Sequence, residues 1–561
     1  MNENNQNIKL VGLVAILVFG LFTMRIAELS ILKRSNGQDL TSYSDGIQER
    51  SSITQARRGT IFDKNGQPIA MDTTSYSLFA ILRNSDDGMT VKDYDYTARE
   101  LAKYIDLSRD EILKLLLNPD ANQIEFGLAG KNLSSEVKQK IEAANLPGIY
   151  LYSETTRQYI NDLFASHLIG FATPLMSDTQ FGEAEILNGQ IGIEAAYNEQ
   201  LSGAKTYQGQ QKQDYLLGED LYLTLDARLQ NHLEELMTNA HKVYQPKEMG
   251  AYLVELPTGK LLAASQRPSF NLNTRDGIDK EWRNFLVEES FEPGSTVKIL
   301  TMSLAYDQKI YNETEKFHSG SIDVYDKIIK DHNVVGWGDI TFAEALARSS
   351  NTGMVTLAKR LGDEKWIELL GRFGFGASTQ SQLMNENTGK FSFDNPVSRY
   401  MSSFGQAFSA TPIQLLQAFS SVGNNGTMVK VQYIEGMGNQ KETYKTVNLG
   451  TPISKEAAKY VLNLMIDTVE KDYGTAKPFK SSLVRVAAKT GTGEIANESG
   501  TGYLTGDNDY LHSVVAFFPA ENPKYMMYLF MKQPTNTNGM IGTQILAKIF
   551  HPFLEKILVD Q

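Results

Sequence analysis

Three short strings constrain the fold more than any other feature of this 561-residue chain. They are Ser295-Thr-Val-Lys298, Ser349-Ser-Asn351 and Lys489-Thr-Gly-Thr492. Their residue types suit acyl transfer to an activated serine, so a fold that uses them has to bring three distant segments together. Only the combination of the three strings predicts this chemistry, because Ser-x-x-Lys alone also begins at Ser30, Ser135 and Ser202. Only the string at Ser295 follows Pro-Gly, and Lys-Thr-Gly occurs once.

The first string is predicted to carry a nucleophile and its base. Pro293-Gly294 indicates a sharp start to a helix with Ser295 in its first turn, where free N–H groups can stabilise an oxyanion. Lys298 follows on the same helix face. Burial beside a second cation, for which Lys489 is the candidate, would lower the pKa of Lys298 until its neutral amine accepts the serine proton. Taken alone, Ser-x-x-Lys is more often an exposed helix start.

The second string follows a predicted helix from Phe342 to Ala347. Ser349 can carry a proton between Lys298 and a leaving amine, and Asn351 can hydrogen-bond both the lysine and a substrate amide. The alternative interpretation is a plain Ser/Asn turn or helix cap, which is common.

The third string is predicted to end a strand. Gly491 would let a substrate backbone approach closely, while Lys489 and two threonine hydroxyls would offer a carboxylate a cationic seat. The candidate catalytic residues are therefore Ser295, Lys298, Ser349, Asn351 and Lys489. The candidate substrate-binding residues are Thr490, Gly491, Thr492 and Glu494.

Composition excludes several other functions. The net charge of −12, without a long Lys/Arg cluster, argues against a nucleic-acid partner. The chain has no cysteine, which excludes thiolate catalysis, Cys-based zinc sites and disulfides. The seven histidines are scattered without a His-Glu-x-x-His pattern. We expect neither a metal site nor a cofactor.

The amino terminus predicts a membrane anchor over residues 9–32 after a cytoplasmic tail of residues 1–8. Leu10 to Met24 is uninterrupted apolar sequence, and Ile26 to Leu32 extends it to a length that can cross a bilayer. A cleaved signal peptide is the alternative, although no small-x-small cleavage site stands out. Arg25 and Glu28 are either a pair that faces a membrane partner or a pair that snorkels to the interface.

The chain is too long for one core, and its pattern changes near residue 226. Residues 33–225 are predicted to form a spacer-like domain, and residues 226–561 a mixed α/β domain with an antiparallel sheet. The elements predicted for the first segment are a hairpin turn at Asp63-Lys-Asn-Gly66, a helix from Tyr96 to Leu117 and a strand from Leu221 to Leu225. The elements predicted for the second segment include helices at Asp226–His241 and Ile541–Val559 and a strand at Arg485–Lys489. Two hairpins are also predicted. One pairs Gly250–Leu256 with Lys260–Ser265, and the other pairs His512–Phe518 with Lys524–Phe530.

With these strings in this order, the chain resembles a class B penicillin-binding protein, most closely the penicillin-binding protein 2x type. The likeness covers nearly the whole chain. Its further motifs are Arg58-Gly-Thr-Ile-Phe-Asp-Lys-Asn-Gly66, Gly192-Ile-Glu-Ala-Ala-Tyr197, Trp282-Arg-Asn284, Ser403-Phe-Gly-Gln-Ala-Phe408 and Thr411-Pro-Ile-Gln414. The resemblance implies an α/β (α+β) penicilloyl-serine transferase fold, in which a five-stranded antiparallel sheet and a helical subdomain follow one transmembrane helix and an elongated α+β pedestal.

The resemblance also implies the reaction. A peptidoglycan D,D-transpeptidase of this family would form an acyl-enzyme between Ser295 and a stem peptide ending in D-Ala-D-Ala, and an amine of a neighbouring stem would resolve it. The N–H groups of Ser295 and Thr492 would form the oxyanion hole, and β-lactam antibiotics would acylate the same serine. The family implies septal cell-wall synthesis at the outer face of the cell membrane, with a polytopic glycan polymerase and divisome membrane proteins as partners.

Two departures and several alternatives stay open. The chain stops soon after its closing helix, so the small carboxy-terminal repeat domains common in this type are not expected. Glu494 stands where the family often has a neutral residue, and a carboxylate facing the cleft would repel an anionic ligand. The alternative functions are a low-affinity β-lactam-resistance transpeptidase, a serine β-lactamase, and a β-lactam sensor or divisome scaffold. A β-lactamase has to activate water, and no glutamate stands in a recognisable loop context for that task.

Overall fold

The computed structural model describes residues 55–560, except 84–88, 180–181, 203–214, 441–442, 498–501 and 507, together with a few positions between residues 19 and 39. The expected tail over residues 1–8 lies outside the described residues, as does nearly all of the expected anchor over 9–32. Within the described part of the chain, no helix has the length and apolar character needed to cross a bilayer.

The first region is built around one sheet with small helices. Its strands are β1 Gln55–Arg57, β2 Ile61–Phe62, β3 Pro68–Ile81, β4 Gln123–Glu125, β5 Ile149–Tyr159, β6 Ala172–Thr179, β7 Gly182–Gly189, β8 Tyr215–Leu217 and β9 Leu221–Leu223. Its α-helices are α1 Tyr94–Leu101, α2 Arg109–Leu116, α3 Ser135–Ala143, α4 Ser166–Ile169, α5 Gly192–Ala196 and α6 Asn198–Leu201. The predicted hairpin turn is confirmed, since β2 and β3 pair antiparallel and Gly66 has a φ of 77°.

The predicted single helix from Tyr96 to Leu117 is wrong. α1 ends at Leu101, and α2 begins only after Ser108. Ser108 forms a capping box: its N–H donates to Glu111 at 2.9 Å, and the Glu111 N–H donates to the Ser108 hydroxyl at 3.3 Å. Helical periodicity continues across the break, but a strong N-cap starts a new helix there.

The second region alternates strands and helices. Its strands are β10 Pro246–Glu255, β11 Lys260–Arg267, β12 Lys316–His318, β13 Ser321–Val324, β14 Lys327–Lys330, β15 Asp339–Thr341, β16 Met428–Val429, β17 Ile434–Met437, β18 Asn448–Gly450, β19 Ala487–Glu494, β20 Tyr510–Phe518 and β21 Tyr525–Pro534. Its α-helices are α7 Ala227–Tyr244, α8 Lys298–Asp307, α9 Phe342–Ala347, α10 Asn351–Leu361, α11 Asp363–Gly371, α12 Pro396–Met401, α13 Pro412–Gly423, α14 Lys455–Glu470 and α15 Gly542–Val559.

A five-stranded sheet in the order β11-β10-β21-β20-β19 forms the centre of this region, and every neighbouring pair is antiparallel. The predicted hairpins and both predicted amphipathic helices are confirmed. Alternate residues of the strands face two different cores: Leu253 packs in the layer with α7 and α15, and Tyr252 packs in the helical layer on the other face. Both faces of the sheet are covered, and the edge strand β19 borders a cleft.

Two features of the sheets differ from the sequence interpretation. The strand predicted over Arg485–Lys489 runs instead from Ala487 to Glu494, because every residue of this stretch pairs with β20 despite its glycines. The third string therefore lies within the strand and not at its end. The sheet of the first region also takes in β17, which pairs with β9, so the two regions share hydrogen bonds across the predicted boundary at residue 226.

A buried charge cluster ties the first region together and generates a prediction. Fully buried Glu194 accepts hydrogen bonds from Arg58 Nε at 2.5 Å and Arg157 Nε at 2.8 Å. Glu194→Gln would leave buried Arg58 without its carboxylate partner and Arg157 with Asp72 alone, at a cost of about 3–5 kcal/mol in the free energy of unfolding. Urea denaturation followed by circular dichroism measures the loss.

The matched control is Glu136→Gln, which removes an exposed carboxylate paired with Lys140. We expect no measurable change in its urea midpoint, because exposed ion pairs contribute little. Equal midpoints for the two variants would contradict the assigned role of Glu194.

Candidate active site

Ser295 lies in a tight turn that leads into a buried helix. A 3₁₀ turn spans Gly294–Val297 and α8 begins at Lys298, as the Pro-Gly pair predicts. Gly294 has a φ of 58°, and a Cβ there would lie 2.9 Å from the Thr492 carbonyl oxygen. The glycine therefore allows the Ser295 turn to pack directly against β19.

The segment after α12 supports the same turn from the other side. The Gly294 N–H donates to the Gly405 carbonyl at 2.9 Å, and the Thr301 hydroxyl donates to the Ser403 carbonyl at 2.7 Å. A Cβ on Gly405 would lie 2.0 Å from the Gly294 carbonyl oxygen. Ser295 is thus held between β19 and residues 402–406, with its side chain partly open to solvent.

The three strings meet at Ser349. Lys298 Nζ donates to the Ser349 carbonyl at 2.7 Å, to its hydroxyl at 3.3 Å and to Asn351 Oδ1 at 2.7 Å. Lys489 Nζ donates to the Ser349 hydroxyl at 2.9 Å and to the Thr490 carbonyl at 2.7 Å. A single hydroxyl therefore bridges two lysine amines, an arrangement that can pass a proton between them.

Both amines are buried, and burial disfavours their charged forms. It lowers the pKa of Lys298 to about 7, partly opposed by the negative charge of Asp331. Burial, reinforced by the positive charge of Lys298, holds the pKa of Lys489 well below its usual range. At neutral pH the pair therefore includes neutral amine, which can act as a base.

Asp331 fixes the backbone of the second string, and sequence reasoning missed it. Ser349 has a φ of 60°, unusual for a residue with a side chain. Next to it, buried Asp331 accepts hydrogen bonds from the Ser350 hydroxyl at 2.9 Å, the Thr352 N–H at 2.9 Å and the Gly320 N–H at 2.9 Å. Ser350 also caps α10 by accepting from the Gly353 N–H at 3.0 Å. The helix cap formed by Ser350 is thus compatible with the catalytic roles predicted for Ser349 and Asn351.

Gly491, the glycine of the third string, is predicted to make room for a substrate backbone. In the structure, packing inside the protein also requires a glycine at this position. A Cβ on Gly491 would lie 2.4 Å from the Ser513 hydroxyl and 3.0 Å from Thr296 Cγ2. These contacts are inside the protein, so the glycine lets the strand pack on its neighbours and on the Ser295 turn. Thr490 and Thr492 line the cleft.

A cleft of about 860 Å³ opens over these groups. Ser295, Ser349 and Asn351 line it together with Thr490 and Thr492. One wall is β19 and the segments beside it, and the other is built from β14, His332 and the helical layer. This volume is ample for a peptide ligand. Within the described ranges, no group of three or more His, Asp or Glu side chains is arranged to hold a metal ion.

Glu494 lies on the rim of the cleft with its side chain exposed. Its carboxylate accepts a hydrogen bond from Gln406 Nε2 at 2.6 Å. The neighbouring carboxyl of Glu292 accepts from the Ala407 N–H at 3.0 Å and the Tyr503 hydroxyl at 3.2 Å. Burial, with a smaller contribution from the charge of Glu494, raises the pKa of Glu292 to about 7. No sequence motif singles out Glu292, because only its surroundings in the fold distinguish it from other glutamates.

Comparison with known proteins identifies families for both regions. Residues 249–551 match the penicillin binding protein transpeptidase domain, and residues 53–220 match the penicillin-binding protein dimerisation domain. The chain is 29% identical to stage V sporulation protein D of Bacillus subtilis, over 97% of this chain and 85% of that protein. It is 24% identical to peptidoglycan D,D-transpeptidase FtsI of Escherichia coli, over 95% of this chain and 88% of that protein.

A solved structure agrees with the sequence relatives. Penicillin-binding protein 2X from Streptococcus thermophilus superposes with a TM-score of 0.73 at 31% identity, over 90% of this chain and 79% of that chain. The transpeptidase match alone spans more than half of the chain and contains all three strings. The chain therefore belongs to the penicillin-binding protein transpeptidase family.

Proposed function

We propose that Ser295 is the nucleophile of this peptidoglycan D,D-transpeptidase and that Lys298 is its base. The observation that carries the proposal is the Ser349 hydroxyl, which accepts from Lys298 and Lys489 beneath the cleft that Ser295 lines. A lysine whose pKa is about 7 supplies a useful fraction of neutral amine at physiological pH. An ordinary exposed lysine would supply very little.

Acylation follows from these positions. Lys298 takes the proton of the Ser295 hydroxyl as the oxygen attacks the penultimate D-alanine carbonyl of a stem peptide. The backbone N–H groups of Ser295 and Thr492 hold the oxyanion, and the adjoining packing of Gly294 on β19 supports this pairing. Ser349 passes a proton to the nitrogen of the departing D-alanine.

The substrate carboxylate is assigned to β19. Lys489 and the hydroxyls of Thr490 and Thr492 form a cationic, hydrogen-bonding seat for it. An incoming carboxylate would raise the pKa of the buried Lys489 amine and so favour its charged form. Asn351, which accepts from Lys298, has an amide that can also hold the stem-peptide backbone.

The cellular setting is part of the same proposal. Residues 9–32 form the single membrane anchor after a cytoplasmic tail of residues 1–8, and residues 33–225 form a pedestal that carries the catalytic domain, residues 226–561, outside the cell. β-Lactam antibiotics react at Ser295. A polytopic glycan polymerase and divisome membrane proteins are the partners in septal wall synthesis.

Mass spectrometry after incubation with a penicillin tests the nucleophile. We expect one added penicilloyl group on the peptide that contains Ser295 and none on Ser295→Ala, because that variant lacks the attacking oxygen. A label on any other residue would overturn the assignment. An acyl-enzyme that clears within seconds would instead favour a β-lactamase.

The pH dependence of acylation tests the base. As pH rises through about 7, Lys298 loses its proton and becomes able to accept one from Ser295. The second-order rate constant for penicillin acylation should therefore rise about tenfold per pH unit below pH 6 and level off above pH 8. Stopped-flow measurements between pH 5 and 9 check this, and a flat profile would exclude Lys298 as the base.

The charge of Glu494 is expected to slow acylation by anionic ligands. Glu494→Gln removes a negative charge from the cleft rim, so acylation by benzylpenicillin should become about two- to threefold faster at low ionic strength. This gain in rate should shrink at high salt, because dissolved ions screen the exposed Glu494 carboxylate from the carboxylate of benzylpenicillin. Glu521→Gln, an exposed carboxylate in the turn between β20 and β21, is the matched control. Equal rates for the two variants would refute the effect.

A further inference from the structure

His332 is a titratable group of the cleft that the acylation steps leave unused. It lines the same cleft as Ser295, and its side chain is exposed there. No hydrogen bond connects its ring nitrogens to another residue in the described part of the chain. Both nitrogens are therefore available to a ligand.

The surroundings of His332 hold it in position. Its chain neighbour Asp331 is anchored to Ser350, Thr352 and Gly320 by hydrogen bonds of 2.9 Å. The imidazole packs against Trp337 with ring centroids 5.1 Å apart in an edge-on arrangement. The same Asp331 that orients the Ser349 turn thus also orients His332, which fixes the histidine relative to the catalytic lysines.

Burial and the charges around His332 favour its neutral ring. Partial burial lowers the pKa of His332 from the usual 6.5, and positive charge on Lys298 and Lys489, when either is protonated, adds to this shift, while Asp331 opposes it. The other charged groups that line this wall of the cleft are Lys327 and Lys330 on β14, and the Arg348 guanidinium lies 5.5 Å from the centre of the Trp337 ring. Glu494 is the charged group that faces the cleft from the β19 wall. The imidazole therefore favours its neutral form, which can accept a proton from a ligand.

The second half of the reaction needs such a base. An alkyl amine with a pKa near that of lysine is unprotonated in only about one molecule in 2,500 at pH 7. Its ammonium form has no lone pair and must lose one proton before it attacks and a second as the amide forms. Lys298 with Ser349 can take only one of these protons, since it must return a proton to the Ser295 oxygen.

We propose that His332 is a further catalytic residue, which accepts the proton of the acceptor ammonium and holds the resulting amine for attack on the acyl-enzyme. The inference rests on the proposed transpeptidase chemistry at Ser295. The donor carboxylate is assigned to the β19 wall, so the acceptor enters along the wall built from β14 and His332.

The ammonium gives one proton to the imidazole, and the free amine forms a C–N bond with the acyl carbon. Ser349 takes the second proton from nitrogen and, through Lys298, returns a proton to the Ser295 oxygen as the ester C–O bond breaks. The imidazolium then releases its proton to water.

Partition of the acyl-enzyme between amine and water tests the proposal. The full chain, carrying His332→Asn, is acylated with an N-acyl-D-alanyl thioester, and the ratio of aminolysis to hydrolysis is measured with D-alanine or with hydroxylamine. D-Alanine is an ammonium at pH 7, whereas hydroxylamine is already unprotonated. We expect the ratio to fall at least tenfold for D-alanine and to stay within about threefold for hydroxylamine.

The pH profile supplies a readout that a purely structural role would not move. In the unaltered protein the D-alanine ratio should level off once His332 is neutral, and in His332→Asn it should keep rising tenfold per pH unit towards the pKa of the free amine. His318→Asn, an exposed histidine that hydrogen-bonds Asp339 at 2.8 Å, is the matched control and should retain the original profile. His332→Gln serves as a second variant with a different side-chain length.

The outcomes separate the two proposals. An unchanged D-alanine ratio in both His332 variants overturns the proposed role of His332. An equal loss of the ratio for D-alanine and for hydroxylamine also overturns it, because the histidine would then affect the acceptor through its shape and not as a base. Failure of the unaltered protein to form an acyl-enzyme on Ser295 would instead overturn the proposed nucleophile.

Discussion

The rest of the structure depends on two buried lysine amines that converge on one serine hydroxyl. Lys298 and Lys489 are both fully buried, and each donates to Ser349. Burial removes the hydration of both ammonium groups and so lowers both pKa values, and the positive charge of Lys298 lowers that of Lys489 further. The fold tolerates the arrangement because carbonyl and amide oxygens accept the remaining N–H groups. The same burial that costs stability in the charged state favours the neutral amine that the proposed mechanism requires.

The packing around the Ser295 turn follows from that requirement. To bring Lys298 and Lys489 to one hydroxyl, α8 must start against the edge strand β19, and only glycine at position 294 allows that distance. Gly491 satisfies the same contact from the strand side, where a Cβ would collide with Ser513. These two glycines act as spacers between backbones. They set the separation at which the lysines meet, and substitution at either would displace the catalytic groups before it altered any of them chemically.

Much of this could be predicted from the sequence, and the failures have physical causes. The two hairpins can be predicted from alternating apolar and polar residues and from turn residues, and the helices α7 and α15 from amphipathic spacing. All of these are local signals in the sequence. The break between α1 and α2 was missed because periodicity continues across it, although the Ser108-x-x-Glu111 capping box was present in the sequence. The extent of β19 could not be predicted, since Gly491 and Gly493 weaken a strand that only its pairing with β20 maintains. Asp331 and His332 follow a strand in a polar stretch with no motif of their own, and only the fold brings them to the Ser349 turn.

The charges of the cleft impose opposed pH preferences on the same reaction. Glu292, next to the Ser295 turn, has its pKa raised to about 7 by burial, so it is largely uncharged below that pH. Its protonation leaves Glu494 as the charged carboxylate of the pair and weakens the repulsion felt by an anionic donor. Lys298 becomes a base only as pH rises through the same region. Capture of an anionic donor therefore favours the acid side of neutrality and proton abstraction the alkaline side. Since both groups owe their shifts mainly to burial at one turn, the packing that positions Ser295 also brings both titrations close to neutral pH.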